Sequence, residues 1–526
     1  MTDSAVLFLL PKEIWLEILH YIPVRALIEV DRFFLDVWMD RRWKEVVIAA
    51  RLPTKVERLY ERLRDPYVGE RVKRLKVELS QCSEEESGRQ TPKPVRQSSS
   101  DALNFKNFTS KFTDGLSLKK KKGKETPPPS PNAHDPFLEG LSSIIQSINF
   151  LPNVVDLSLE VWNRPDRLTW DIGRLFTAIW GLASIGPYLT HLSIDSDLEG
   201  YRILIDQCNP VFKELKELDI TLINNFNAPS DRTRDNETLL NTLTPFIRSL
   251  APQLEVLTVR CIASSSSYSS FVTLLAEETF PNLISCSLEF QHPNLPDPQA
   301  VKSFLSQLSS TLRKLGLRIR FMNDPPGEHV DLKFAERPLG WWLASCLSTE
   351  VQGGALSFNR LEELDISPSH TDEGLAVLSS YIHSTSSTLQ YLTLRDCYFT
   401  AHELQTVTDA AQYCKQLKYL KMCVSKLRTD SLDPLFSSLP DLEGLWLNVE
   451  DASSSDLEAS YRCYTSKLKD LSLCDKDGLA LESRVLKEVG NAVPSVQSFF
   501  NLGHKEIEEM KGKAPPSPPR VRRYGR

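Results

Sequence analysis

A six-residue frame of apolar residues recurs along most of this 526-residue chain. It reads Leu-x-x-Leu-x-Leu, with Val, Ile, Met, Phe or Cys also admitted at the apolar positions. Clear copies begin at Leu189, Leu215, Leu254, Leu283, Leu312, Leu361, Leu389, Leu417, Leu442 and Leu468, and weaker ones at Val72, Val154 and Val496. The last five intervals are 28, 28, 25, 26 and 28 residues long. Such a period constrains the fold strongly, because it predicts a stack of similar units rather than one central core.

Each frame predicts a short strand, since its last two apolar residues alternate with other residues and so point to one side. Apolar residues at helical spacing precede several frames, as Leu138, Leu141, Ile145 and Ile148 do before the frame at Val154. One strand and one helix cannot bury their own apolar faces, whereas stacked neighbours bury a continuous core. Ordinary βα units of a doubly wound sheet are the alternative, but no Gly-rich phosphate loop follows any predicted strand.

The pattern resembles the leucine-rich repeat over residues 68–80 and about 137–500. This resemblance implies an irregular α/β solenoid with parallel strands on the concave face and helices on the convex face. In that family the frame continues to an Asn or Cys, and Cys397 in "LQYLTLRDC" occupies this position. The 49-residue interval from Leu312 to Leu361 predicts either an oversized loop or one degenerate repeat. Both interpretations stay open.

The amino-terminal stretch "LLPKEIWLEILHYIP", residues 9–23, predicts a compact apolar helix opened by a proline. Pro11 suits the first helical turn, because the N–H it lacks has no partner there. The stretch resembles the start of an F-box, whose family docks on the Skp-type adaptor of cullin–RING (SCF-type) ubiquitin ligases. The resemblance implies that the following residues contact the adaptor: Leu10, Pro11, Ile14, Ile18, Leu19, Ile22 and Leu27.

The stretch "DRFFLDVWMDRRWKEVV" predicts a further helix that is rich in aromatic residues. A bundle of about 40 residues cannot bury so much aromatic surface internally, which favours a partner. The order of an F-box followed by repeats resembles a substrate receptor of a ubiquitin ligase. The alternative is a leucine-rich-repeat scaffold, with or without a nuclear location, in which the amino-terminal bundle only caps the first repeat.

Composition divides the chain into six predicted parts. They are an F-box-like helical domain at 5–50, a helical linker at 51–67, the first repeat strand at 68–80, a disordered Ser/Pro/Lys-rich insertion at 81–134, the repeat solenoid at 135–502, and a disordered tail at 503–526. The insertion and the tail contain too few apolar residues to order themselves. The run Lys119, Lys120, Lys121, Lys122 and Lys124 indicates either a nuclear import signal or a solvated lysine tract.

The sequence contains no motif that predicts catalysis. It lacks Gly-x-Ser-x-Gly, P-loop and kinase elements, and its histidines and cysteines are too dispersed to predict a metal site. We therefore predict a non-catalytic protein without a cofactor. The net charge of −7 and the lack of a sufficiently apolar run disfavour a nucleic acid or membrane partner. Ten singly placed cysteines and the absence of a signal peptide favour a cytoplasmic or nuclear location.

Three consecutive frames place aromatic residues on the outward side of their predicted strands: Tyr391, Tyr419 and Trp446. Arg395 and Lys421 flank them, and this composition is typical of a binding hot spot. Trp446 lies two residues further along its strand than the tyrosines, so we predict that it is diagonal to Tyr419 and within roughly 7–8 Å. These five residues are the predicted surface for a protein substrate that the sequence does not identify. The alternative is that the rings only cover the sheet.

Overall fold

The computed structural model describes most of the chain between residues 32 and 499. The described residues are 32–49, 59–78, 145–146, 148, 150–161, 177, 186–207, 212–223, 232–262, 268–292, 294–321, 332–348, 357–368, 371–427, 429–451, 467–475, 481, 485–486, 489, 493 and 495–499.

The described residues form one sheet of fourteen parallel strands, and neighbours in the sheet are neighbours in the chain. The strands are β1 (Glu45–Ala49), β2 (Arg74–Glu78), β3 (Asp156–Val161), β4 (His191–Ser196), β5 (Glu217–Leu222), β6 (Val256–Cys261), β7 (Ser285–His292), β8 (Lys314–Phe321), β9 (Glu363–Ile366), β10 (Tyr391–Phe399), β11 (Tyr419–Lys426), β12 (Gly444–Asp451), β13 (Asp470–Asp475) and β14 (Ser498–Phe499). Parallel strands paired strictly in chain order are the topology of a solenoid, because each unit contacts only its neighbours.

Every predicted frame begins two residues before one of these strands. In the frame at Leu189, the residues Leu189, Leu192 and Ile194 are all at most 1% exposed. The strand residues between them are partly exposed, so burial alternates along β4 as period-two geometry requires. The predicted α/β repeat solenoid is confirmed by this sheet.

Eleven helices have both ends within the described residues, and further helical residues occur, for example at 59–63. The eleven are α1 (Arg32–Trp43), α2 (Pro66–Gly69), α3 (Leu198–Arg202), α4 (Arg232–Thr238), α5 (Thr244–Leu250), α6 (Ser269–Leu275), α7 (Pro298–Gln307), α8 (Leu332–Leu347), α9 (Asp372–Ser384), α10 (Ala401–Ala411) and α11 (Thr429–Ser438). Short 3-10 or π turns occur at Gly186–Tyr188, Ile203–Gln207 and Leu239–Leu243. Successive helices from α6 to α11 pack side by side, and one continuous apolar core lies between the helices and the sheet.

The sheet begins one strand earlier than the sequence predicted. β1 pairs with β2 from Glu45↔Arg74 to Ala49↔Glu78, although residues 45–49 were assigned to the helical domain at 5–50 and the first strand to 68–80. A further frame explains the difference, because Trp43, Val46 and Ile48 are all buried in the common core. This frame has Trp at its first position, which the Leu-x-x-Leu-x-Leu pattern does not include, so the pattern does not predict the strand at 45–49.

Helix α1 is fastened to the first repeat by polar contacts. Arg71 Nη2 lies 2.6 Å from Asp36 Oδ1, and its Nε lies 3.0 Å from Asp40 Oδ1. The Tyr67 hydroxyl donates to Asp36 Oδ1 at 2.5 Å, and the Arg71 guanidinium lies 3.8 Å from the centre of the Tyr67 ring. Residues 45–49 therefore belong to the sheet, and these contacts join α1 to the first described repeat, while Phe34 and Val37 of α1 form a small apolar cluster apart from the common core.

In the long interval before the frame at Leu361, the described residues form one helix and add no strand to the sheet. β8 pairs directly with β9, from Lys314↔Glu363 onward. The connection carries α8, whose Trp342 packs on Phe290 with ring centroids 6.1 Å apart and donates its indole N–H to the Pro296 carbonyl at 2.7 Å. The interval is therefore not simply an oversized loop, because it carries a helix that packs beside α7 and α9, and it is not a complete additional repeat, because β8 and β9 are direct neighbours in the sheet.

We expect that deletion of residues 81–134 leaves the solenoid folded. β2 and β3 are paired in register whatever the length of the chain between them, and the buried Ile148 and Leu151 follow the deleted segment. The length of a connection also has only a logarithmic effect on closure entropy. The thermal midpoint should stay within about 3 °C of the parent value. Deletion of residues 144–155 is the control, because it removes buried residues and should lower the midpoint clearly; equal losses in the two variants would contradict the prediction.

Candidate protein-binding face

One face of the sheet packs on the helical side and the other is open. Side chains at the first, third and fifth positions of the strands lie on the open face, as the alternating burial of β3, β4 and β6 shows. The register aligns these positions into rows that cross the strands at about 4.8 Å per strand. Residues far apart in the sequence thus become neighbours on one broad surface.

Three aromatic rings form a continuous stack on the open face, which we call the aromatic ladder: Tyr391, Tyr419 and Trp446. The two tyrosines are register partners, and their rings are stacked with centroids 4.8 Å apart and planes 4° from parallel. Trp446 is diagonal to Tyr419, with centroids 5.7 Å apart and planes 29° from parallel. The predicted diagonal arrangement is confirmed. Tyr391 is 41% exposed, so one end of the ladder is open to solvent.

A glycine makes room for the ladder. Gly444 is the register partner of Tyr419, and a Cβ atom built there would lie 2.5 Å from Tyr419 Cδ1 and 3.1 Å from Trp446 Cη2. Any other residue would therefore push the Tyr419 ring away from Trp446. The role of Gly444 could not be predicted from the sequence, because a glycine in a strand becomes informative only when its cross-strand neighbour is known.

Arg395, predicted to contact the substrate, is already engaged within the protein. Its Nε donates to Asp365 Oδ1 at 3.0 Å, and its Nη2 lies 2.9 Å from Asp365 Oδ2. Arg318 donates to the same carboxylate from the other side. The two-point contact with Asp365 therefore fixes the position of the Arg395 guanidinium and leaves it only partly available to a partner. Because Arg395 and Arg318 share this one carboxylate, one positive charge remains uncompensated.

Lys421 lies at the centre of the predicted surface. It is the register partner of Thr393 on one side and of Trp446 on the other. Within the described residues Lys421 forms no ion pair, unlike Arg395. The structure thus brings all five predicted residues onto one face across β10 to β12, while their role in binding a substrate stays a prediction.

Carboxylates dominate the open face near the amino-terminal end of the sheet. Burial, followed by the neighbouring Glu160 charge, raises the pKa of Asp195 to about 6 from its ordinary value of 3.8. Burial also raises the pKa of Asp219, against the opposing effect of Arg260, whose Nη1 lies 2.9 Å from Asp219 Oδ1. These carboxylates crowd one another because register pairing places β3, β4 and β5 side by side.

We expect Asp195→Asn to stabilise the protein at neutral pH but not in acid. A raised pKa means that the fold favours the neutral carboxyl, so the stabilising contribution is present below about pH 4 and lost as the pH rises through about 6. At pH 7.5 the ionised Asp195 should cost about 1 kcal/mol, after allowance for its partial exposure. Urea unfolding at pH 7.5 and 4.5 measures the difference. Glu217→Gln, an exposed carboxylate in the next strand, is the control, and an equal gain for Asp195→Asn at both pH values would refute the prediction.

The free cysteines in the described part of the chain are buried, and four of them have thiols whose pKa is raised by that burial. Burial raises the pKa of the Cys286 and Cys414 thiols to about 12, and it raises that of the Cys261 and Cys346 thiols well above the usual value. The thiol form cannot act as an efficient nucleophile at neutral pH. None of the described helices combines the length and the hydropathy required to cross a bilayer.

Two groups of predicted site residues lie outside the described residues. One is the predicted adaptor-binding set, Leu10, Pro11, Ile14, Ile18, Leu19, Ile22 and Leu27. The other is the lysine run at 119–122 and 124, interpreted as an import signal or a solvated tract. Both remain predictions from the sequence.

Solved structures similar to this chain include two bacterial repeat proteins. The leucine-rich repeat-containing protein LegL7 from Legionella pneumophila is 15% identical, with a TM-score of 0.31 over 71% of this chain and 95% of that chain. An internalin from Listeria monocytogenes is also 15% identical, with a TM-score of 0.26 over 70% of this chain and 89% of that one. No protein-family model matches the sequence, and no curated protein does so.

Proposed function

We propose that this chain is a non-catalytic binding subunit whose open sheet face captures a target protein. The aromatic ladder beside Lys421 is the observation that supports the proposal most. Exposed, preorganised aromatic rings lose little conformational entropy on binding, and such rings next to cations are enriched in binding hot spots. The Tyr391 and Tyr419 rings stack on each other, and this contact holds them in position, so a partner would bind a surface that is already formed.

The finer part of the proposal concerns the amino-terminal segment. The Leu10-Pro11 turn and the apolar stripe after it resemble an F-box, so this segment would dock on a Skp-type adaptor and connect the captured target to a cullin–RING ubiquitin ligase. The chain would then be the substrate-recognition subunit of an SCF-type ligase, without a cofactor, in the cytoplasm or nucleus. Support for this part comes from the sequence motif alone.

A second candidate function is a repeat scaffold without ligase association. It is favoured by residues 45–49, which form a strand of the repeat sheet, and by the ion pair that joins α1 to the following repeat. A segment that closes the end of a solenoid has a structural role whether or not an adaptor binds it.

Reconstitution of the full chain with a purified Skp-type adaptor separates the two candidates. A stable complex, together with capture of a target protein from extracts of the native cell, supports the ligase-receptor function. Target capture without any adaptor complex favours the scaffold. A chain that begins at residue 32 is the control, because it keeps α1 and β1 but lacks every predicted adaptor-binding residue from Leu10 to Leu27.

A further inference from the structure

From β1 to β11 the charges on the open face separate into two blocks, and the carboxylates Glu450 and Asp470 follow on β12 and β13. The first block spans β1 to β5 and is acidic. Its carboxylates are Glu45, Glu78, Asp156, Glu160, Asp195, Glu217 and Asp219. Its basic residues are Arg74 and Lys76, beside His191. This acidic block has a surplus of five negative charges when His191 is neutral.

The second block spans β6 to β11 and is basic. Its cations are Arg260, Lys314, Arg318, Arg320, Arg395 and Lys421. Its carboxylates are Glu289, Glu363 and Asp365. This basic block has a surplus of three positive charges and adjoins the aromatic ladder at β10 to β12.

Ion pairs on the open face do not remove either surplus. In the basic block every carboxylate already has a cation, since Lys314 Nζ is 2.9 Å from Glu363 Oε2 and Arg320 Nε is 2.6 Å from Glu289 Oε1. In the acidic block Lys76 is shared by two carboxylates, with Nζ 3.0 Å from Glu78 and 2.6 Å from Glu160. Arg260 of the basic block also pairs with Asp219 of the acidic block, with Nη1 2.9 Å from Oδ1. After this pair the acidic block keeps a surplus of four negative charges and the basic block a surplus of two positive charges.

From this polarity, and given that the proposed function of the open face is protein binding, we infer that the partner segment is extended and bipolar. Its Lys/Arg-rich end lies over the acidic block, and its Asp/Glu-rich end lies over the basic block next to an apolar side chain that contacts the aromatic ladder. Opposite potentials on the two sides of an interface fix its orientation and exclude wrong partners.

The spacing of the strands sets the spacing of the two charged ends. The centres of the blocks, near β3 and β9, are six strands apart in the sheet. At about 4.8 Å per strand this corresponds to about 29 Å, which an extended segment covers with about nine residues. A nucleic acid fits this face poorly, because its phosphates would be repelled by the acidic block.

Two synthetic peptides of identical composition test the proposed polarity on the full chain. The first has a lysine block, a neutral spacer of about nine residues, a glutamate block and a terminal Leu-Trp anchor; in the second, the lysine and glutamate blocks are exchanged. We expect the first peptide to bind at least tenfold more tightly at low ionic strength, about 0.05 M, and to lose that advantage in high salt. Equal affinity, no binding of either peptide, or a preference for the second would overturn the proposal.

Charge-reversal variants show whether the two blocks cause the preference. Glu45→Lys with Glu217→Lys should weaken binding of the first peptide at least fivefold, and Lys421→Glu should do the same. Glu237→Lys with Glu373→Lys, and Lys415→Glu, make the same charge changes at exposed sites off the sheet, and they should have no such effect. An equal loss in these control variants would refute a role for the blocks.

Other occupants of the face are distinguished in the same assay. If deletion of residues 81–134 or 503–526 increased the affinity for the first peptide tenfold, a basic segment of this chain would be the occupant and the inference of a bipolar external partner would fail. The proposed function is tested separately by target capture through the aromatic ladder. Capture that needs the rings but not the order of charges would leave that function standing and refute only the polarity.

Discussion

Replacement of Tyr391, Tyr419 and Trp446 with alanine together should abolish target capture while the solenoid stays folded. An aromatic anchor at the centre of an interface contributes about 2 kcal/mol or more, and these anchors act together. A combined loss of about 4 kcal/mol lowers the affinity roughly a thousandfold. The fold should lose only about 2 kcal/mol, because the change removes two ring stacks and leaves the face packed on the helices intact. Capture of the target and thermal unfolding are the two measurements.

The chain offers a matched control for this triple variant. Tyr188, Trp341 and Tyr413 also comprise two tyrosines and one tryptophan, they are 54–63% exposed, and they lie outside the strands of the sheet. Their replacement with alanine should leave target capture unchanged. If the aromatic ladder variant instead unfolds far below the parent while the control does not, the rings are structural cover and the binding surface lies elsewhere.

Replacement of both Leu10 and Pro11 with alanine should weaken binding of the Skp-type adaptor at least tenfold. An apolar anchor is worth roughly 2 kcal/mol or more at the centre of an interface, and Pro11 fixes the backbone angle at the first turn of the predicted helix. The full chain is the correct material for the measurement, because a fragment that ends at residue 50 would remove β1 from its partner β2. Titration calorimetry with the purified adaptor gives the affinity.

A conservative change at the same position provides the control for the adaptor experiment. Leu10→Met keeps the side-chain volume and the proline, so it should retain most of the affinity. Thermal unfolding of each variant shows whether the solenoid is intact. Undiminished adaptor binding by a folded double-alanine variant would eliminate the F-box interpretation and leave the scaffold as the remaining candidate.

The positions of thirteen strands could be predicted from one local pattern. The frame works because burial of alternate residues is imposed within each unit, and no distant residue is needed to recognise it. The strand at Glu45–Ala49 was not predicted, because its frame opens with the bulky Trp43 in place of a smaller apolar residue. This strand lies within the residues predicted as the helical domain at 5–50.

In the candidate binding face, too, the sequence predicts some features, and others depend on the register between strands. Period-two geometry was sufficient to place Tyr391, Tyr419 and Trp446 on one face and to predict that Trp446 is diagonal to Tyr419. It was not sufficient to predict that Asp365 would hold Arg395 and Arg318, because that contact depends on the register between β8, β9 and β10. The role of Gly444 also depends on the register between strands, because the Tyr419 ring of the neighbouring strand occupies the space beside it.

The sequence by itself determined the unit of this protein: a strand with two inward apolar residues, usually preceded by a helix, repeated until a continuous core is buried. Only the tertiary structure decided which outward residues meet, and therefore where charge and aromatic surface accumulate. The physical reason is that burial is a local constraint on each residue, whereas ion pairs and ring stacks depend on distances between strands that are 25 or more residues apart in the chain. The acidic block, the basic block and the aromatic ladder exist only once those strands are aligned.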